Sequence, residues 1–343
     1  MKIVIMAGGK GTRFWPLSTE HAPKQFLSFH SEQTLIQETV SRFRDFVPDS
    51  RLFVAVPRRY LPVLREQLPG LAPKQLIVEP RQKDTAACIA LAAFRFLQAG
   101  DNEPVAFIPA DQYIDDKAAY LAAISAAAEI ALRPNAIVTL GIKPRRPETG
   151  FGYLLTSPAT EEEHAALGAR RVNRFVEKPS EEKARELIGK DDVYWNSGII
   201  VCRPETIARC IETYEPAIWN SLAENPQDID AAYAGMPRLS IDYAVMERAD
   251  SVYCLPIDCG WDDIGSWASM RRHLEPDSAG NVSKGNATLP ESAGNIVFVE
   301  GKPAVVIGVK DLIIVSTANG LLVCPKSEEP SLKKWLSLNG DLT

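Results

Sequence analysis

Hydrophobic and polar positions follow two alternating periods through the first half of the chain. Short, nearly continuous apolar runs at 2–7, 52–56, 75–78, 105–108 and 136–140 read as buried strands. Between them, 34–46, 84–98 and 117–132 carry helical periodicity, with Thr34 and Asp84 placed to cap the first two. This β-α-β-α order predicts an α/β fold: a doubly wound, mostly parallel, Rossmann-like sheet with right-handed crossovers. Ligands of such sheets lie outside the carboxyl ends of the strands. The loop after the first strand and the end of strand 105–108 are therefore expected to lie close together.

The pattern changes near residue 150. Strands at 151–156, 170–177 and 197–202 are separated by loops and one clear helix, 180–188, as in a strand-rich insertion that completes a substrate pocket. Helical patterns return at 241–248 and 264–274. After Pro276, short Val/Ile-rich strands from 281 to 324 are punctuated by Gly, Asn and Pro, and 332–338 forms a last amphipathic turn or two. The expected organisation is a large domain over 1–275 and a small β-rich, β-helix-like domain over 280–343.

Composition narrows the partners. The chain has 343 residues, 45% of them hydrophobic, and a net charge of −6, so a nucleic-acid backbone is excluded as the expected partner. No apolar run approaches the roughly 20 residues of a membrane span. The N-terminus reads as a strand, without a basic region or a signal-type cleavage site. Cys88, Cys202, Cys210, Cys254, Cys259 and Cys324 form no CxxC pair and no metal-ligand spacing. They read as reduced thiols of a cytoplasmic protein.

An acidic chain that binds an anion must gather its cations locally, and the first 26 residues do so. The first strand runs into Gly8-Gly9-Lys10-Gly11-Thr12-Arg13, and Pro23-Lys24-Gln25-Phe26 follows. Glycine admits backbone N–H groups close to phosphate oxygens, and Arg13 and Lys24 add full charges. The spacing is not that of a P-loop, and Phe14 stands at the third glycine position of a dinucleotide fingerprint. An ordinary tight turn is the alternative. Asp111 ends the strand Phe107-Ile108-Pro109-Ala110, and Asp263 lies in Gly260-Trp261-Asp262-Asp263-Ile264. Both also suit caps. Taken with a polyphosphate loop they suggest Mg2+, which takes one or two protein carboxylates and completes its shell with water and phosphate oxygens. Glu177-Lys178 and Trp195-Asn196-Ser197-Gly198 offer groups for sugar hydroxyls and a phosphate, although Glu177-Lys178 alone would read as a solvated pair. Gly150, in Pro147-Glu148-Thr149-Gly150-Phe151-Gly152-Tyr153, allows backbone to close on a sugar ring.

The joint order of AGGKGTRFWPLS, PKQFL, EPRQKDTAA, PADQ, PETGFGY, FVEKP, WNSG, SIDYAVME and GWDDIGSW resembles the sugar nucleotidyltransferases, and among them the guanylyltransferases of mannose 1-phosphate. The resemblance covers the chain from Met1 to about Leu274 and extends to the short tail. It implies a nucleotide-diphospho-sugar transferase fold, with a nucleotide part over about 1–145 and a sugar part over about 146–275. It implies nucleotide contacts at Ala7, Gly8, Gly9, Gly11, Thr12, Arg13, Glu79, Asp84 and Pro109. Arg13, Lys24, Asp111 and Asp263 take catalytic positions, and the two aspartates hold the metal. Gly150, Glu177 and Asn196 match sugar-pocket positions, and Lys178 matches the lysine that meets the sugar phosphate. A carboxylate at Glu79 can accept from guanine N1–H and its exocyclic amine, a donor pair that adenine lacks. Position alone also fits a strand-end residue restrained by Pro80.

The implied reaction is GTP plus mannose 1-phosphate giving GDP-mannose and pyrophosphate, by Mg2+-dependent in-line attack on the α-phosphorus, in a cytoplasmic homodimer. The alternatives are the same chemistry on another sugar 1-phosphate or triphosphate, or a non-catalytic regulator that binds a sugar nucleotide. A nicotinamide dehydrogenase is disfavoured by Phe14. Three positions depart from the family pattern: Asp84 for the more frequent Asn, Gln112 for His, and Asp262 as a second carboxylate that competes with Asp263 for the metal role. Phosphomannose isomerase activity, which belongs to a further domain of longer relatives, is not expected.

Overall fold

The computed structural model describes residues 1–9, 11–29 and 31–338; Lys10 of the glycine loop lies outside them. The chain forms two compact units that interleave along the sequence. One comprises 1–8, 39–110 and 114–261; the other comprises 9–38, 111–113 and the chain from 262 onward.

The first unit holds a nine-stranded sheet. Its strands are β1 (Lys2–Met6), β2 (Leu52–Pro57), β3 (Leu76–Glu79), β4 (Val105–Pro109), β5 (Ile137–Ile142), β6 (Tyr153–Pro158), β7 (Arg170–Val176), β8 (Val193–Cys202) and β9 (Val252–Ile257). The order is β3-β2-β1-β4-β8-β5-β9-β7-β6. The first four are parallel and buried on both faces, which is why their sequences read as continuous apolar runs. Met6 pairs with Pro109, so the ends of β1 and β4 lie side by side, as expected from the topology. The sheet as a whole is mixed: β8 enters antiparallel between β4 and β5, and β6 and β7 add further antiparallel pairs. β8 starts four residues before its expected start, because Val193, Tyr194 and Trp195 pair with β6.

The helix Thr85–Gln98 is apolar nearly all round and correspondingly buried, with Ala86, Ala87, Ala90, Leu91, Ala92 and Ala93 closed to solvent. Asp84 caps it, its carboxylate accepting from Thr85 N at 2.9 Å. The helix Leu35–Phe43 begins directly after Thr34. Three helices that the periodicity did not predict, Pro204–Tyr214, Pro216–Glu224 and Ile229–Gly235, pack around the same core. Proline opens the first two, where its missing N–H costs no hydrogen bond.

The expected helix 264–274 is corrected to a short piece, Trp267–Met270, followed by a single 3-10 turn, Arg271–His273. The reason is local: Ile264 has φ +41 and Ser266 is extended, and Ser266 caps the helix through Ser269 N at 3.0 Å. The pattern at 241–248 forms a π-helical turn, Asp242–Met246.

The second unit contains β10 (Val282–Lys284), β11 (Ala287–Thr288), β12 (Ile296–Val299), β13 (Ala304–Val305), β14 (Leu312–Thr317) and β15 (Gly320–Pro325). β10, β12 and β14 stack in parallel on one face, and β11 and β13 pair in parallel as a second, two-stranded sheet. Buried asparagines tie successive turns together. Asn281 Oδ1 accepts from Asn295 N and Nδ2, both at 2.9 Å, and Asn295 Oδ1 accepts from Leu312 N at 3.0 Å. The core of this unit joins Phe14, Phe29 and Trp267 to Phe298, Ile313 and Val315. Phe14 stacks at 4.8 Å from Phe29 and 5.2 Å from Trp267, and Trp267 lies 5.5 Å from Phe298. The segment that follows the glycine loop is thus anchored in the same core as the β-rich tail.

Candidate active site

The four residues expected in catalytic positions, Arg13, Lys24, Asp111 and Asp263, come together in the second unit with Gly9, Gly11 and Thr12 of the loop. Gly11 has φ +62, and a Cβ there would stand 2.6 Å from Lys24 N and Cβ, so only glycine lets the loop lie against Lys24. Thr12 and Arg13 follow in a 3-10 turn, with Arg13 exposed. Lys24 is buried in the turn Lys24–Phe26. Its ammonium donates to Asp111 Oδ2 at 2.9 Å and to the Asp263 carbonyl at 2.5 Å. Gln25 donates to Gly9 O at 3.1 Å, which closes the loop onto the same turn.

Backbone pairing brings the two aspartate segments together. Tyr113 N donates to Asp262 O at 2.9 Å and Asp262 N to Tyr113 O at 3.1 Å. Burial raises the Asp263 carboxyl above its ordinary range, Lys24 and Arg13 pull it down, and Asp111 and Asp262 push it up. Arg13 reaches the same turn: a Cβ on Gly265 would lie 2.7 Å from Asp263 Oδ2 and 3.1 Å from Arg13 Nη1. Ile264, β-branched and wholly buried, is held at φ +41 beside Asp263. Backbone strain of this kind gathers at working sites.

The neighbouring carboxylate is otherwise engaged. Asp262 accepts a bidentate pair from Arg272 at 2.7 and 2.8 Å and lies 3.1 Å from His273 Nε2. Burial alone would raise its carboxyl; His273 and Arg272 outweigh that and hold it down at about 2. Asp111 and Asp263 offer two carboxylates and a carbonyl, hard oxygen donors of the kind Mg2+ takes. Among the described residues no group of three or more His, Cys, Asp or Glu side chains is arranged to hold a metal.

Two further groups lie in the first unit. Ala7 directly follows β1 and Pro109 ends β4, and Ala7 N donates to Ala55 O at 2.8 Å. Gln82 donates to the Gly8 carbonyl. Glu79 ends β3 and is 2% exposed, and its Oε1 lies 3.3 Å from the Tyr233 hydroxyl. Burial pushes its carboxyl up to about 7; hydrogen bonds from Tyr233 and Cys88 lower it and the Asp84 charge raises it. Asp84 stands at φ +72 and ψ −176, a backbone region that favours glycine and costs other residues about 1–3 kcal/mol.

In the remaining group, Gly150 N donates to Glu148 Oε1 at 3.3 Å. Glu177 is paired with Lys178, which sits at φ +44. The Asn196 side-chain oxygen accepts from Thr139 Oγ1 at 2.8 Å and from Gly198 N at 3.2 Å, while its nitrogen donates to Asp242 Oδ1 at 3.0 Å. Tyr233 and Asp242 escape the sequence reading. Asp242 lies within SIDYAVME, but no periodicity or spacing ties it to Asn196.

A model of the nucleotidyl transferase family matches residues 2–277, and one of the MannoseP isomerase/GMP-like beta-helix domain matches 285–336. The chain is 36% identical over 346 residues to a mannose-1-phosphate guanylyltransferase of Salmonella muenchen, covering 96% of this chain and 72% of that protein. It is 33% identical over 350 residues to the alginate biosynthesis protein AlgA of Pseudomonas fluorescens, covering 98% and 71%. The crystal structure described as mannose-1-phosphate geranyltransferase from Thermus thermophilus superposes with a TM-score of 0.88 at 32% identity, over 99% of both chains. With these matches over almost its whole length, the chain belongs to the nucleotidyl transferase family, in the branch of the mannose-1-phosphate guanylyltransferases.

Proposed function

We propose that the protein transfers the guanylyl group of GTP to mannose 1-phosphate, giving GDP-mannose and pyrophosphate. A sugar-phosphate oxygen forms a bond to the α-phosphorus, and the bond from that phosphorus to the bridging oxygen of the β-phosphate breaks. No protein nucleophile is required, because the attacking phosphate is already ionised. The barrier is the meeting of two anions, so fixed cations and fixed geometry carry the catalysis. The observation that carries this reading is the Lys24 ammonium bonded to both Asp111 and the Asp263 backbone, beside a glycine loop that bears Arg13.

Arg13 and Lys24 would stabilise the charge that builds on the departing pyrophosphate. Asp111 and Asp263 would hold Mg2+, which when bound supplies positive charge to the phosphates. Ala7, Gly8, Gly9, Gly11, Thr12 and Pro109 are assigned to the nucleotide, with Asp84 at the helix start beside it. Glu79 reads the guanine edge. Gly150, Glu177 and Asn196 take the sugar hydroxyls and Lys178 the sugar phosphate. These roles follow a catalytic domain over 1–275 and a β-rich domain over 280–343. A cytoplasmic homodimer is part of the same proposal. Six cysteines without disulfides support the compartment, and among the described residues no helix is long and apolar enough to cross a membrane.

The test is a panel of four nucleoside triphosphates against several sugar 1-phosphates, read as pyrophosphate release. GTP with mannose 1-phosphate is expected to give the highest kcat/KM. A higher value for another pair would reassign the substrates. Glu79→Gln is expected to narrow the preference for GTP over ATP by about tenfold or more, since one charged acceptor is lost from a buried site. An unchanged preference removes Glu79 from base recognition.

Glu79 also gives a pH dependence. Its carboxyl is raised to about 7, so the native state keeps a proton there that the unfolded chain releases near its ordinary value. Its contribution to stability therefore falls as pH rises from roughly 4.5 to 7. Guanine requires the ionised form, so GTP affinity is expected to fall by about tenfold per pH unit below 7. Titration of GTP itself is controlled by the same profile on Glu79→Gln. If both proteins lose affinity in parallel, Glu79 is not the titrating group.

A further inference from the structure

We infer that Asp242 is a specificity-determining positioning residue: it locks the tilt of the Asn196 amide so that the second N–H of Asn196 is held ready to donate to a sugar hydroxyl. The inference rests on the reading of Asn196 as a sugar-pocket residue and goes beyond it.

The argument is one of hydrogen-bond polarity. A backbone N–H can only donate, so the Asn196 atom that faces Gly198 N at 3.2 Å is the oxygen. Thr139 Oγ1 donates to the same oxygen at 2.8 Å and fills its second acceptor site. The amide nitrogen therefore faces Asp242 Oδ1 at 3.0 Å, and a carboxylate there can only accept. Among the described residues the second amide hydrogen has no acceptor, and it is the polar atom that the Asn196 side chain has left to offer a ligand. Without Asp242 nothing holds that hydrogen in place, since two bonds to the oxygen alone let the amide tilt.

Asp242 is itself held firmly. The preceding Ile241 N donates to Thr85 Oγ1 at 2.8 Å, anchoring the segment to the start of the helix Thr85–Gln98. Asp242 opens the π-helical turn Asp242–Met246, its carbonyl accepting from Glu247 N at 3.0 Å. Such turns recur at functional sites because they redirect one side chain without ending the element. Glu177 and Lys178 both act on the Asp242 charge, so the carboxylate lies within electrostatic reach of one residue assigned to the sugar hydroxyls and one assigned to the sugar phosphate.

The test is a double-mutant cycle on Asn196→Ala and Asp242→Ala, with KM measured separately for mannose 1-phosphate and for GTP. Asp242→Ala is expected to raise KM for mannose 1-phosphate on the order of tenfold and to leave KM for GTP within about twofold. Because Asp242 acts through Asn196, the double variant is expected to be no worse than Asn196→Ala alone. Additive losses, or equal rises in both KM values together with a lowered Tm, would overturn the positioning role. If Asn196→Ala raises KM for mannose 1-phosphate and Asp242→Ala does not, Asp242 has no part. If Asn196→Ala itself changes nothing, the sugar-pocket reading falls and this inference with it. Should Asp242→Ala fail to fold, Asp242→Asn replaces it in the cycle. Its amide oxygen can accept from Asn196, so it is expected to retain most of the affinity, and a loss as large as that of Asn196→Ala would count against the argument.

Discussion

Asp111→Asn is expected to lower Mg2+-dependent GDP-mannose formation by at least about a hundredfold while the fold stays intact, by analogy with the loss that follows removal of one oxyanion-hole donor. The substitution keeps the shape and leaves an oxygen that can accept from Lys24, whose ammonium now lies 2.9 Å from Asp111 Oδ2. What it removes is one of the two carboxylate charges proposed to hold the metal. Thermal unfolding should therefore change little, whereas the Mg2+ concentration for half-maximal turnover should rise. A variant with normal turnover and an unchanged Mg2+ requirement would take Asp111 out of the mechanism.

Lys24→Ala is expected to cost about 10²–10³ in kcat, and it should differ from Asp111→Asn in also costing stability. The lysine is buried, and its single ammonium ties the Asp111 carboxylate to the Asp263 backbone. Its removal leaves those acceptors without their donor and takes away a cation that offsets the buried Asp263 charge. Breaking a fully buried pair typically costs about 3–5 kcal/mol, and the cost here is expected to be smaller because the Asp111 side chain is 30% exposed and water can solvate it. The two consequences separate experimentally: a fall in Tm reports the first, and turnover per folded molecule at a temperature well below Tm reports the second. Loss of stability with normal turnover per folded molecule would make Lys24 a structural clamp only.

Much of the fold was legible because burial on both faces leaves a continuous apolar run. β1, β2, β3, β4 and β5 all came from that signal, to within a residue or two at their ends. β8 was half legible. Its polar residues Asn196 and Ser197 read as the start of the strand, whereas they lie within it, with Asn196 bonded by Thr139, Gly198 and Asp242. The helices from Pro204 to Gly235 were missed. They are short, two of them open on proline, and each buries only a few apolar side chains. The helix expected over 264–274 was too long, because nothing in its composition signals the positive φ at Ile264.

The candidate site divides in the same way. The glycine loop and its cations are local, so their chemistry could be read directly. The bond from Lys24 to Asp263 spans 239 residues, and only the order of motifs hinted at it. The choice between Asp262 and Asp263 depends on Arg272 and His273, which no spacing rule connects to either aspartate. Asp242 was invisible for a more specific reason. Its value lies in the orientation it holds for another side chain, and that orientation has meaning only once Gly198 and Thr139 have fixed which end of the amide is oxygen.

The central claim is that a buried lysine and two aspartates around the glycine turn serve transfer of a nucleotidyl group between two phosphates. The most direct measurement is pyrophosphate release by the purified 343-residue chain from GTP, mannose 1-phosphate and Mg2+, with and without a chelator. The account predicts pyrophosphate formed in step with GDP-mannose, only when both substrates are present, and lost on chelation. Tight GTP binding with no pyrophosphate under any of these conditions would contradict it.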